Sequence, residues 1–152
     1  MDDFAREVEK FFQEQKQLKH SFRWHRHGAN YARAHTRVAG EDGRICGRVV
    51  LNAHISKMPP KYSFCLLFQN ESILRLDVNP KRSHTDFIEL RRVTILETHW
   101  QYWPEYRAIV DKRDLSHHIW LDEFLRRCRI TSHHRYVRPP FRCENYRFNF
   151  DV

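Results

Sequence analysis

The sequence predicts an α+β fold: one twisted antiparallel sheet with an N-terminal and a C-terminal helix packed on one face. Three observations predict it. An amphipathic helical pattern opens the chain, alternating segments punctuated by turn residues fill its middle, and a second helical pattern follows near the end. The 152 residues suit a single domain with one core. No internal repeat or low-complexity linker divides them.

In residues 2–20, Phe4, Val8, Phe11, Phe12 and Leu18 fall near a three-and-four spacing, with Asp2 or Asp3 able to cap the start. Ser21–His27 alternates, as does Tyr31–Val38, with Gly28–Ala29–Asn30 as the turn between them. Gly40–Glu41–Asp42–Gly43 is a hairpin signal leading into Arg44–Ile55. Met58–Pro59–Pro60–Lys61 breaks the pattern. Tyr62–Phe68 is apolar enough for a central strand, and Asn70–Glu71 turns into Ser72–Val78. Phe87–Trp100 is one long strand or two, and Tyr106–Val110 a last short one. Asp114–Leu115–Ser116 starts the second helix, whose apolar positions run from Ile119 to Ile130. Residues 131–152 form a basic aromatic tail or a terminal hairpin, still within the single domain.

Alternation also assigns faces. It places Arg23, His25, His27, Arg33, His35, Arg37, Arg48, Asn52 and His54 outward, opposite the apolar positions. One side of an antiparallel sheet is free to remain polar in this way. The net charge is +8, and 20 of the 27 basic residues are arginines, whose planar fork suits phosphate. An anionic partner follows: nucleic acid, RNA before DNA, or an acidic protein surface. Arg33, Arg37, Arg48 and Arg82, with Arg135, Arg138 and Arg142 of the tail, are the expected backbone contacts. Tyr136, Phe141, Tyr146 and Phe148 are interleaved with the tail arginines; they stack on bases or pin the tail to the body.

Other classes are disfavoured. No run of 18 apolar residues is present for a membrane span, and the acidic start is unlike a secretion signal, so a cytoplasmic protein is expected. The four cysteines form no CxxC pair, and no cofactor or metal is expected; His25–His27 alone is a weak ligand pair. Four glycines leave little room for a nucleotide cradle.

A third group of residues has catalytic chemistry. Arg75, Asp77 and Asn79 share a strand face; His84 lies just beyond, and His99 sits in the next strand segment. If the two segments pair, these groups converge. Histidine titrates near neutrality and can act as general acid and base, arginine can stabilise charge on phosphorus, and Asp77 can orient either. These are the parts of a metal-independent endoribonuclease.

The run ILRLDVNP…H…ETHWQYWPEY…WLDEFLRRCRI resembles a group of small bacterial and prophage proteins related in motif style to TumE-like toxins of toxin–antitoxin pairs. Over residues 72–130, Arg75 and Asp77 match a strand ending in Arg–x–Asp. His84 matches a histidine loop, and His99 the first position of a His–x–His segment. Phe124, Leu125, Cys128 and Ile130 match a closing helix. Gln101 stands where the second histidine is expected. The resemblance implies a mobile-element or defence setting and a toxin-like activity on nucleic acid, with an antitoxin as partner. An alternative is a non-enzymatic phage inhibitor, anti-CRISPR-like, that covers a nucleic-acid channel or an acidic patch of a host defence complex.

Overall fold

The computed structural model describes residues 2–80 and 97–142. Helix α1 is Asp3–Gln13. Strands β1 (Lys16–Leu18), β2 (His25–His27), β3 (Tyr31–Ala39), β4 (Ile45–His54), β5 (Lys61–Phe68), β6 (Glu71–Val78), β7 (His99–Tyr102) and β8 (Ile109–Val110) follow. Helix α2 (His117–Arg127) and strand β9 (Ile130–Thr131) complete the described elements. One open sheet runs β8-β7-β6-β5-β4-β3-β1-β9, with β2 also paired to β3. The fold is α+β, as the sequence predicts.

The turns follow from local chemistry. Gly43 takes φ 81° and donates its N–H to the Gly40 carbonyl, closing the β3–β4 turn, while Asp42 Oδ1 accepts from Arg44 N–H. Gln69 and Asn70 both have positive φ and form the two-residue β5–β6 turn, the type I′ signature whose twist suits a hairpin.

Helix α1 ends sooner than its apolar spacing suggests, at Gln13. Lys16, fully buried, turns its ammonium back onto the Phe12 and Glu14 carbonyls at 3.2 and 2.6 Å, satisfying groups the helix end leaves open. Burial lowers its pKa to about 8. Leu18 is thereby released from the helix into β1, where it pairs with Val38 and remains in the core. Ser21–Trp24 is not strand; only His25–His27 pairs with β3. Among the described strands the sheet is antiparallel except at one pair, β1 with β9. Chain returning from α2 enters the sheet there through Ile130–Thr131.

Both helices cover one face. Asp2 caps α1, its carboxylate accepting from Ala5 N–H at 2.6 Å. Phe11 stacks on Phe68 at 4.6 Å, and Phe4 meets Trp103 edge-on. Ser116 caps α2, and Arg126 and Arg127 in its last turn complement the dipole. Trp120, Leu121, Phe124 and Leu125 of α2 meet Ala32, Leu51, Phe64, Leu76 and Trp100 of the strands in one buried cluster. The tail joins this helix side: Tyr136 stacks on His118 at 4.0 Å, Phe141 packs near Tyr62 at 6.0 Å, and Trp24 Nε1 donates to the Val137 carbonyl.

The α1–sheet contact has a sharp test. A Cβ on Gly47 meets the Leu67 carbonyl oxygen and the Phe11 ring, each at 2.7 Å, whereas one on Gly40 meets the carboxylate tip of Glu14. Backbone cannot yield and a flexible side chain can. Gly47→Ala is expected to cost about 1–3 kcal/mol by overpacking and Gly40→Ala much less, read as urea midpoints. Equal effects would refute this account of the contact.

Candidate nucleic-acid interface

The outward positions follow from strand alternation, and pairing decides which of them are neighbours. Along β3 the burial alternates strictly from Tyr31 to Val38: Tyr31, Arg33, His35 and Arg37 are exposed, Ala32, Ala34, Thr36 and Val38 buried. Across the ladder, His25 faces Arg33, Arg33 faces Asn52, Asn52 faces Ser63, Ser63 faces Asp77, and Asp77 faces His99. One polar row thus crosses six strands, about 24 Å at the usual strand separation. The cationic strands and the Arg75–Asp77–His99 group, separate in sequence, are the two ends of that row.

A second row begins at Lys19, whose N–H bonds the Arg37 carbonyl, and continues through Arg37 and Arg48, directly opposite each other in register. Lys19, Arg37 and Arg48 are all exposed. The outward positions of β2, β3 and β4 carry no carboxylate. Among the described residues no ion pair is formed by Arg33, Arg37 or Arg48. Like charges facing one another across strands are destabilising. Arg37 and Arg48 are such a facing pair.

The other end of the row is more enclosed. Arg75 grips Asp77 with two parallel bonds, Nε to Oδ2 and Nη2 to Oδ1, both 2.9 Å. His99 Nε2 lies 3.4 Å from the same Oδ2. His99 Nδ1 lies 2.6 Å from the Glu97 carbonyl; a carbonyl only accepts, so Nδ1 carries a proton. Nε2 therefore faces the Asp77 carboxylate, with which it pairs only in the protonated ring, and the ring is buried. Arg75 keeps 43% of its side chain exposed. Its bond to Asp77 raises its pKa and fixes it charged. Thr98 Oγ1 bonds the Asn79 N–H and carbonyl, fastening β6 to the approach of β7. Asn79 is buried there, with Oδ1 unpartnered, rather than continuing the open face.

Beside this group, Cys65 faces Arg75 across β5–β6 and contacts Ser72 Oγ at 3.2 Å. Burial pushes its thiol pKa up, which disfavours a nucleophilic thiolate. Gln101 faces Arg75 from β7 but donates to the Tyr106 carbonyl, so it belongs to the β7–β8 turn. Among the described residues no three His, Cys, Asp or Glu side chains gather as a metal site.

The predicted backbone contacts divide. Arg33, Arg37 and Arg48 share the outer face. Arg135 and Arg138 are exposed on the tail segment, which packs against α2 on the opposite side. Arg142 N–H bonds the Ile55 carbonyl at the end of β4. Strand ends and tail thus offer a different surface from the sheet, and Tyr136 and Phe141 pin the tail to the core cluster. Arg82 and His84 lie outside the described residues, as do Tyr146 and Phe148. Ser63, in the first row, and Tyr31, exposed on the same face between His27 and His54, are marked by the period-two pattern only as to face; the register alone gives their neighbours.

Fold and face together define an α+β protein with an open sheet, helices on one side and cations on the other. The chain matches no known family model, and no curated protein or solved structure proves similar to it. No helix among the described residues is long and apolar enough to cross a membrane.

Proposed function

We propose that the protein binds RNA on the outer face of its sheet, with Lys19, Arg33, Arg37 and Arg48 along the phosphates. The observation carrying this reading is the facing pair Arg37–Arg48, on strands whose outward positions hold no carboxylate. Several kinds of cation-bearing face attract polyanions, and the net charge of +8 supports one here. The arginine forks favour phosphate over isolated carboxylates.

The test has two linked readouts. Arg37→Ala and Arg48→Ala together are expected to flatten the dependence of log affinity for single-stranded RNA on log salt by about 1.4, near 0.7 per lost phosphate contact. Arg48→Ala alone is expected to stabilise the free protein by about 0.2–1 kcal/mol, because it removes a like-charge pair. A gain in stability with a loss of affinity is the signature of a binding face. An unchanged salt slope would overturn the assignment, and binding of an acidic protein in place of RNA would move this face to the inhibitor reading.

Cleavage of the bound strand is the second reading, favoured by the convergence of Arg75, Asp77 and His99 at the far end of the polar row. In that reading Arg75 holds the scissile phosphate, Asp77 orients Arg75 and His99, and His99 exchanges a proton through Nε2 once that nitrogen parts from Asp77. His84 is the proposed second acid–base group. His99→Ala then abolishes RNA cleavage and leaves binding on β3 and β4 intact. Cleavage that survives the substitution excludes His99 from the chemistry.

A further inference from the structure

Tyr31 begins β3 with 54% of its surface exposed, more than any other large hydrophobic side chain described. It contributes nothing to the core. In register it stands between His27 on β2 and His54 on β4. The His54 ring meets it at 4.7 Å with an interplanar angle of 62°, bracing it from one side. His54 Nδ1 is buried without a hydrogen-bond partner, so no polar bond from that nitrogen accounts for the ring's placement. Lys61 faces His54 on the next strand, and Arg33 is the next outward residue along β3. Three aromatic rings thus form a row at one end of the face, with cations on two sides.

We propose that this row is a stacking platform for an unpaired base, so that the face selects single-stranded over duplex RNA. The inference rests on the reading of the outer face as an RNA-binding surface and specifies its ligand further. Phosphate contacts alone do not distinguish strands, because every nucleic acid presents them. An exposed tyrosine does, because a base reaches its face only when released from a neighbour in a duplex. The geometry fits: the residue is more than half exposed, its ring is inclined at 62° to that of His54, and side chains able to hold the adjoining phosphate flank it. The His25–Arg33 pair lies one row away, where that phosphate would fall.

The experiment compares fluorescein-labelled single-stranded oligo(adenylate) with the matching RNA duplex by anisotropy. The wild-type protein is expected to bind the single strand more tightly. Tyr31→Ala is expected to weaken single-strand binding roughly tenfold, in the range that losing one base–aromatic stack gives, with the salt slope unchanged. Tyr31→Phe and Tyr31→Trp are expected to keep wild-type affinity, since stacking needs the ring and not the hydroxyl; they also separate loss of the ring from any loss of fold. Equal single-strand binding by the wild type and Tyr31→Ala overturns the platform and leaves the phosphate-binding face standing. Preference for duplex overturns it likewise. Absence of any RNA binding by the wild type overturns both the platform and the reading beneath it.

Discussion

Phe124→Ala is expected to cost about 3–5 kcal/mol, the largest loss from a single substitution considered for this protein. Phe124 is fully buried in α2. Its ring lies 5.6 Å from Phe64 on β5 and 6.2 Å from Trp100 on β7, nearly parallel to the latter at 12°. Trp100 is fixed in turn: Arg127 lies over its ring at 4.0 Å, and its Nε1 donates to Asp111 Oδ2. Neighbours held on several sides collapse poorly into a vacated space, so the cavity persists and its penalty adds to the lost transfer energy. Domains are stable by only about 5–15 kcal/mol in total, which makes this a large fraction. Urea unfolding should show a much lower midpoint with a similar slope. A loss under about 1 kcal/mol would mean that α2 is not seated on the sheet through this residue.

The second large effect is acid sensitivity through His117. This residue opens α2 and is buried among Trp24, Tyr62, Phe64, Tyr136 and Phe141. Its Nδ1 lies 2.6 Å from Tyr136 Oη, while Nε2 has no partner. Burial lowers its pKa to about 3, assisted by the positive charge of Arg138 and by His118. The folded pKa is therefore below the unfolded value near 6.5. At pH above that value the ring is neutral in both states and folding bears no proton penalty. As pH falls from about 6.5 toward 3 the unfolded chain takes up a proton that the folded protein refuses, and stability drops. The loss across that window is on the order of 4 kcal/mol. His117→Phe preserves a ring in the aromatic box and removes the titrating group. It is expected to flatten the stability–pH profile between those limits, at the cost of the Tyr136 hydrogen bond. Coincident profiles for the two proteins would exclude His117 as the source. The carboxylate of Asp111 adds a separate, lower window: Arg113 and Trp100 hold its pKa at about 2, so its contribution fades only as pH falls from about 4 through that value.

The same buried histidine shows where a sequence is opaque. His117 and His118 are adjacent in sequence and chemically identical, yet one is enclosed by five aromatic residues and the other stacks at the surface on Tyr136. Helical periodicity says which side a residue takes, but the partners come from distant strands and from the tail. Lys16 is similar. A lysine near a helix end reads as a solvated charge, and here it is a buried cap on the helix it follows. The short β1–β9 pairing leaves almost no pattern in two or three residues, so this parallel contact is not legible in the sequence. The outward cations were legible because a strand's side chains alternate whatever its neighbours are.

What the sequence by itself determined is the α+β class, the helix starts at Asp2 or Asp3 and within Asp114–Ser116, the main hairpins, and the polar identity of one sheet face. These depend on interactions within a few residues: capping, turn chemistry and the period of side-chain direction. Only the tertiary structure decided that Arg37 faces Arg48, that Tyr31 stands between two histidines, and that Arg135 and Arg138 lie on the helix side. It also decided that Asp77 sits between Arg75 and His99 at the end of the row that begins at His25. Those relations depend on register and strand order, which are set by how the apolar faces close over one another across the whole chain.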